Sequence, residues 1–212
     1  MNAYYPKAQR HLAKRCPTMK SIIERVGPCQ LTPRPDEPLA LLVRCVISQQ
    51  ISTKAADSIH GRLAEKAKAP PFTVAKLRKL AESDYRECGL SGGKFRAIQA
   101  ILDRIDSDRA FLKELPTLDD DAFRASVTSI KGLGPWSADM LLMFGFGRPD
   151  VLPVGDMGIR AGAKELFGLP ALPTAGELTA LAETWRPFRT VASWYIWQSR
   201  GLPPETDNGS AR

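Results

Sequence analysis

The stretch Ile130-Lys-Gly-Leu-Gly-Pro-Trp-Ser-Ala-Asp139 sets two glycines, a proline and a tryptophan at a spacing that suits an anion-binding turn. Upstream of it, Phe123, Val127 and Ile130 fall at helical spacing. Gly132 and Gly134 can take positive φ without a Cβ clash and let a second backbone come close. Pro135 suits the first turn of a helix, where its missing N–H would have no partner anyway. The product is a helix N-terminus whose amides and positive dipole end favour a phosphate. An ordinary helix–turn–helix corner carries the same signature, so the turn alone does not separate the two readings. Further on, Val151-Leu-Pro-Val-Gly-Asp-Met-Gly-Ile-Arg160 places one carboxylate, Asp156, at the start of another helix. There it can cap that helix, or stabilise nearby positive charge and activate a water.

The elements that must hold these residues all read as helices. Met19, Ile22, Ile23 and Val26 follow the i, i+3, i+4, i+7 pattern and stop at Gly27. Leu39, Leu42, Val43, Val46 and Ile47 repeat it after Asp36 and Pro38. Thr53 is placed to cap a helix carrying Ala56, Ile59 and Leu63, and Thr73 one carrying Val74, Leu77 and Leu80. Ser83 precedes a short turn that Gly89 ends, and Ser91 leads into Ile98, Ile101, Leu102 and Ile105. The helix after Asp156 closes at Gly168, Thr174 precedes the next, and Phe188 to Ser199 is the last. Strand alternation, internal repeats and low-complexity tracts are not visible, so the fold class is all-α. The terminal stretch from Leu202 to Arg212 is polar and is expected to fray.

Composition bounds the function classes. The 212 residues suit one domain or two small lobes, and 43% hydrophobic content is ample for a core. A net charge of +7 favours a polyanionic partner. Lys7, Arg10, Lys14, Arg15, Lys20 and Arg25 face Glu24 alone, which is equally the pattern of a solvated helix face. No apolar run approaches the roughly 20 residues that span a bilayer, and the N-terminus lacks an apolar signal core. A cytoplasmic protein without a membrane partner is expected, and nothing demands more than a monomer. Cys16, Cys29, Cys45 and Cys88 form no C-x-x-C pair and read as scattered free thiols. His11 and His60 are too few and too far apart for a metal-hydrolase site.

Together the Gly/Pro turn and the Asp156 segment resemble the helix–hairpin–helix DNA glycosylases, and within them the 3-methyladenine DNA glycosylase II branch. Leu42-Val-Arg-Cys-Val-Ile-Ser-Gln-Gln-Ile-Ser52 is similar to the segment leading into that branch's DNA-probing loop. Gly89-Leu-Ser-Gly-Gly-Lys-Phe95 and Trp185-Arg-Pro-Phe-Arg-Thr-Val-Ala-Ser-Trp-Tyr-Ile-Trp197 match two further family segments. The likeness runs in family order from Val26 to Arg200. It implies two helical lobes flanking a DNA-binding cleft. One would be residues 37–148, with the probe loop and hairpin; the other 1–36 plus 149–212, carrying the aspartate. The family's bacterial archetype adds an N-terminal β-rich subdomain, which is not expected in this chain. Some relatives hold an iron–sulfur cluster on four C-terminal cysteines; here no cysteine follows Cys88, so no cluster is expected.

The resemblance also implies roles. Gln50 matches the residue inserted into the duplex when a base is extruded, with Ile51 as an apolar wedge; the alternative is a polar helix end in water. Trp136 and Trp197 match pocket-lining positions, Met140 stands where the family has a third aromatic, and core roles suit Trp185 and Trp194 better. Aromatic faces attract a cationic alkylated base by about 0.5–2 kcal/mol per ring. Asp156 matches the catalytic carboxylate, and capping the helix and serving the chemistry are compatible at its position. Gly132, Gly134 and Ser137, helped by Lys94 or Arg96, match the phosphate grip. The carbonyls of Thr128, Ile130 and Leu133 match those that hold a monovalent Na+ or K+ in relatives; no other cofactor is required. Bifunctional relatives carry a nucleophilic lysine where this chain has Trp136, which cannot form a Schiff base. The implied activity is monofunctional hydrolysis of alkylated purines from double-stranded DNA in base excision repair, leaving an abasic site. Two other readings stay open: a glycosylase for other damaged or mismatched bases, and a non-catalytic helix–hairpin–helix DNA-binding module.

Overall fold

Leu39, Leu41, Leu42, Val43, Cys45, Val46 and Ile47 are all buried on the single helix Pro38–Ser48. A helix apolar on so many sides must be covered on nearly every face. The computed structural model describes residues 4–34 and 37–201, and among them the only regular elements are helical. In chain order they are α1 (Tyr5–Arg15), α2 (Pro17–Val26), α3 (Pro38–Ser48), α4 (Thr53–Lys66), α5 (Val74–Arg78), α6 (Glu82–Glu87) and α7 (Gly92–Ser107). There follow α8 (Phe111–Glu114), α9 (Asp120–Thr128), α10 (Pro135–Met140), α11 (Met157–Phe167), α12 (Ala175–Leu181) and α13 (Arg189–Ser199). A π-helical turn, Leu141–Gly145, continues α10. The expectations placed on Asp36 and on the stretch after Leu202 lie outside the described residues.

The chain divides into two compact units, Met1–Leu31 with Pro149–Arg212, and Thr32–Arg148. In the Thr32–Arg148 unit, α3 is the axis, and α4, α7, α10 and the π-helical turn pack around it. Each fully buried leucine or isoleucine there contributes about 1.5–3 kcal/mol from apolar transfer. Caps fix where the surrounding helices begin. Thr73 and Ser91 accept from the amides of Lys76 and Lys94. Ser52, not Thr53, caps α4 by accepting from Ala55, and α6 starts at Glu82, so Ser83 lies inside it. Both differences are shifts of about one residue, within the usual uncertainty of helix ends.

In the other unit α13 is the axis, with Thr190, Val191, Ala192, Ser193, Tyr195 and Ile196 buried and α1, α2 and α11 packed on it. Gly162 lets α11 approach closely, because a Cβ there would lie 2.6 Å from Ile196 Cγ2. The Tyr195 hydroxyl donates to the Gly27 carbonyl at 2.8 Å, joining α13 to the end of α2. Trp185 is fully buried, as a core tryptophan should be, whereas Trp194 is half-buried against Tyr195. The four cysteines are free and buried, and burial pushes the Cys45 thiol up to about 12. No helix among the described residues is long and apolar enough to cross a membrane.

Candidate functional site

In the Thr32–Arg148 unit the glycine turn joins α9 to α10. Gly132 takes φ +94°, the left-handed conformation its type permits, and a Cβ on it would lie 2.6 Å from the Ala97 Cβ of α7. The turn therefore sits directly on α7. Gly134 departs from expectation: its φ is −108°, an extended conformation open to any residue, and it serves as the N-cap position of α10 with open space where a side chain would be. Arg124 on α9 donates from Nε to Asp139 Oδ1 on α10 at 2.9 Å, so an ion pair clamps the two helices on either side of the turn. Burial raises the Asp139 pKa, and Arg124 opposes that shift.

Trp136 and Met140 are half-buried on α10, and Lys131 is exposed. Ser137, expected to donate to phosphate, is 2% exposed, and its Oγ accepts from Gln49 Nε2 at 3.0 Å. Buried and bonded within its own unit, it is a framework residue and not part of a surface grip. Lys94 is likewise drawn inward: its Nζ donates to the Ile47 carbonyl at 2.7 Å, capping the end of α3, and burial lowers its pKa. The loop between α3 and α4 presents Gln50 and Ile51 outward, and Gln50 takes φ +57°, rare for a residue with a Cβ. Ile51 is one of the few large apolar side chains left exposed. Gln49, the neighbour of the probe candidate Gln50, also donates from its amide to the Gly132 carbonyl at 3.0 Å, a contact with no signal in the sequence.

In the other unit Asp156 is the N-cap of α11. One oxygen, Oδ1, accepts from the Ile159 amide at 2.8 Å and from the Trp197 indole Nε1 at 2.9 Å. The cap and the tryptophan together fix the carboxylate in one rotamer. Room for this pair comes from Gly158: a Cβ there would lie 3.0 Å from Asp156 Oδ1 and 3.1 Å from Trp197 Nε1. The strand of chain before Asp156 is pinned to the start of α13. Arg189 Nε and Nη2 reach the two oxygens of Asp150 at 2.8 and 3.0 Å, Arg186 adds a 2.9 Å contact, and the Val151 amide donates to Thr190 Oγ1 at 3.0 Å. Gly158, Asp150 and Arg189 were not among the sequence candidates, because partners this far apart in the chain leave no periodic pattern.

Residues 43–187 match the HhH-GPD superfamily of base excision DNA repair proteins. Over 205 residues the chain is 31% identical to the alkylbase DNA glycosidase-like protein of Schizosaccharomyces pombe, covering 92% of this chain and 93% of the other. It resembles the solved structure of an S. pombe 3-methyladenine DNA glycosylase in complex with abasic DNA, with a TM-score of 0.83, 32% identity, and coverage of 94% of this chain and 99% of that one. A DNA-3-methyladenine glycosidase from Bacillus halodurans gives a TM-score of 0.78 at 32% identity over 93% and 90% of the two chains. The carboxylate held at a helix N-cap and the glycine turn thus occur in a chain of matching sequence and matching fold: this protein belongs to the HhH-GPD superfamily of base excision DNA repair proteins.

Proposed function

We propose that this protein is a monofunctional DNA glycosylase that hydrolyses the N-glycosidic bond of alkylated purines in double-stranded DNA and leaves an abasic site. The observation that carries the reading is Asp156, its carboxylate oriented by the Ile159 amide and the Trp197 indole. A purine alkylated at N3 or N7 is already cationic and departs without protonation, so no general acid is required. Its departure builds positive charge on the sugar, which a fixed carboxylate stabilises, and the same group can orient the attacking water. Trp136 offers a ring face to a cationic base and no amine to the sugar. Liquid chromatography with mass spectrometry of bases released from methylated duplex DNA tests the reading. Release of 3-methyladenine is the expected result; release only from oxidised or mismatched duplexes, or none, overturns it.

Duplex DNA reaches the protein through the hairpin, gripped by backbone amides that position without reading sequence. At the same turn the carbonyls of Thr128, Ile130 and Leu133 would hold a monovalent cation. Ile130 accepts one bond from the Leu133 amide, which leaves its second lone pair, and among the described residues no backbone amide bonds the carbonyls of Thr128 or Leu133. Such an ion would supply positive charge toward a bound phosphate.

Two expected results follow from this assignment. Borohydride added during turnover traps no covalent protein–DNA adduct, because water and not an amine attacks; an adduct on gel electrophoresis would point to Lys131 or the N-terminal amine. Gly158→Ala lowers the single-turnover rate about tenfold while the melting temperature holds or rises. The new methyl presses on Asp156 Oδ1 and the Trp197 indole, yet alanine loses less backbone freedom than glycine on entering a helix. Unchanged activity in that variant would show that the pair tolerates displacement.

A further inference from the structure

We infer that Gln49 is a positioning residue that fastens the probe loop to the hairpin turn, so that the Gln50–Ile51 tip and the strand-gripping turn move as one piece. The inference rests on the glycosylase reading above. Gln49 is half-buried at the end of α3, and its Nε2 makes two bonds of 3.0 Å, to the Gly132 carbonyl and to Ser137 Oγ. A carbonyl can only accept, so the amide must present its nitrogen to Gly132. The side chain is thereby committed to the hairpin and is not free to enter DNA.

The bond closes a circuit of three contacts. Lys94 on α7 holds the Ile47 carbonyl at the end of α3. Ala97, one turn along α7, forms the floor on which Gly132 rests. Gln49 then ties that same turn back to α3, two residues beyond Ile47. Immediately after the tie, Gln50 sits at φ +57°, a conformation that persists only where its surroundings hold it. Gln49 holds it on one side, and on the other Ser52 is fixed as the cap of α4. A probe fixed relative to the phosphate grip meets the duplex stack at a set distance, which preserves reacting geometry that a displacement near 1 Å would spoil.

Fold cohesion does not depend on this tie. The apolar residues of α3 are buried independently of it, and Cys45 Sγ separately donates to the Ser137 carbonyl at 3.5 Å. Loss of Gln49 should therefore appear in the extrusion step and not in stability.

The test compares wild type with Gln49→Glu and Gln49→Ala in the full chain. It measures single-turnover base release from methylated duplex, melting temperature, and fluorescence of 2-aminopurine placed opposite an abasic analogue, which reports insertion of the probe. Both variants are expected to lose about thirtyfold in rate and most of the fluorescence change, with melting temperature held within a few degrees. Lowering the pH from 8 to 5 should narrow the deficit of Gln49→Glu severalfold, since facing the Gly132 carbonyl favours the protonated carboxyl, which regains a donor; Gln49→Ala should show no such recovery. Variants within threefold of wild type overturn the inference. So does a rate loss that tracks a fall in melting temperature without acid recovery. A wild-type protein that releases no methylated base instead overturns the glycosylase reading itself.

Discussion

Asp156→Asn is expected to lower base release by about three orders of magnitude or more while affinity for duplex DNA holds or tightens slightly. Asparagine preserves the shape of the site. Its carbonyl oxygen can still accept from the Ile159 amide and the Trp197 indole, so the cap of α11 and the packing around it persist. Only the charge is gone. A carboxylate beside a developing sugar cation supplies on the order of 4 kcal/mol to the transition state, which is about a thousandfold in rate. Removing a negative charge from a surface that meets phosphates cannot weaken binding electrostatically. Single-turnover excision and equilibrium binding, measured on the same preparation, separate the two effects. Excision within tenfold of wild type would remove Asp156 from the chemistry and return it to a capping role; a pure DNA-binding module would show no excision in either form.

Much of the frame was legible because it is written locally. Gly27 and Gly168 end their helices at positive φ, and Thr73, Ser91, Asp156 and Thr174 cap theirs through bonds to amides three residues on. These signals depend on neighbours in sequence, which a reader of the chain can see. The α1 helix was harder: its buried stripe is only Tyr5, Ala8 and Leu12, set among exposed basic residues. At the site the limit was different in kind. Asp156 and Trp197 could each be picked out by resemblance, but their bond spans 41 positions and no spacing announces it. The same holds for Gln49, whose partners lie 83 and 88 residues away. The resemblance put Ser137 and Lys94 at the phosphate grip; tertiary packing turned one into the interior and spent the other on the end of α3. Residue type was readable, and direction was not.

Under the proposed glycosylase reading Trp197 would have two separable tasks, and a pair of substitutions should resolve them. As a ring it can face a cationic base; as an N–H donor it holds Asp156 Oδ1 at 2.9 Å. Trp197→Phe keeps an aromatic face and deletes the indole donor to Oδ1, while the bond from the Ile159 amide stays in place. Loss of a hydrogen bond to a charged group amounts to about 1.5–3 kcal/mol, so a fall of roughly ten- to a hundredfold is expected. Because the carboxylate serves the sugar whatever the base, that fall should be equal for cationic 3-methyladenine and for neutral lesions such as hypoxanthine. Trp197→Ala removes the face as well. Its additional loss should fall on cationic bases by up to about 2 kcal/mol, or thirtyfold, since cation–π attraction exists only when the ring of the base is charged. Single-turnover rates on both lesion classes, with melting curves to show that α11 and α13 stay packed, decide the matter. If phenylalanine restores wild-type rates, the indole nitrogen is irrelevant and the ring alone acts. If alanine instead costs neutral lesions as much as cationic ones, Trp197 serves Asp156 and pocket shape, and the charge of the base is sensed elsewhere.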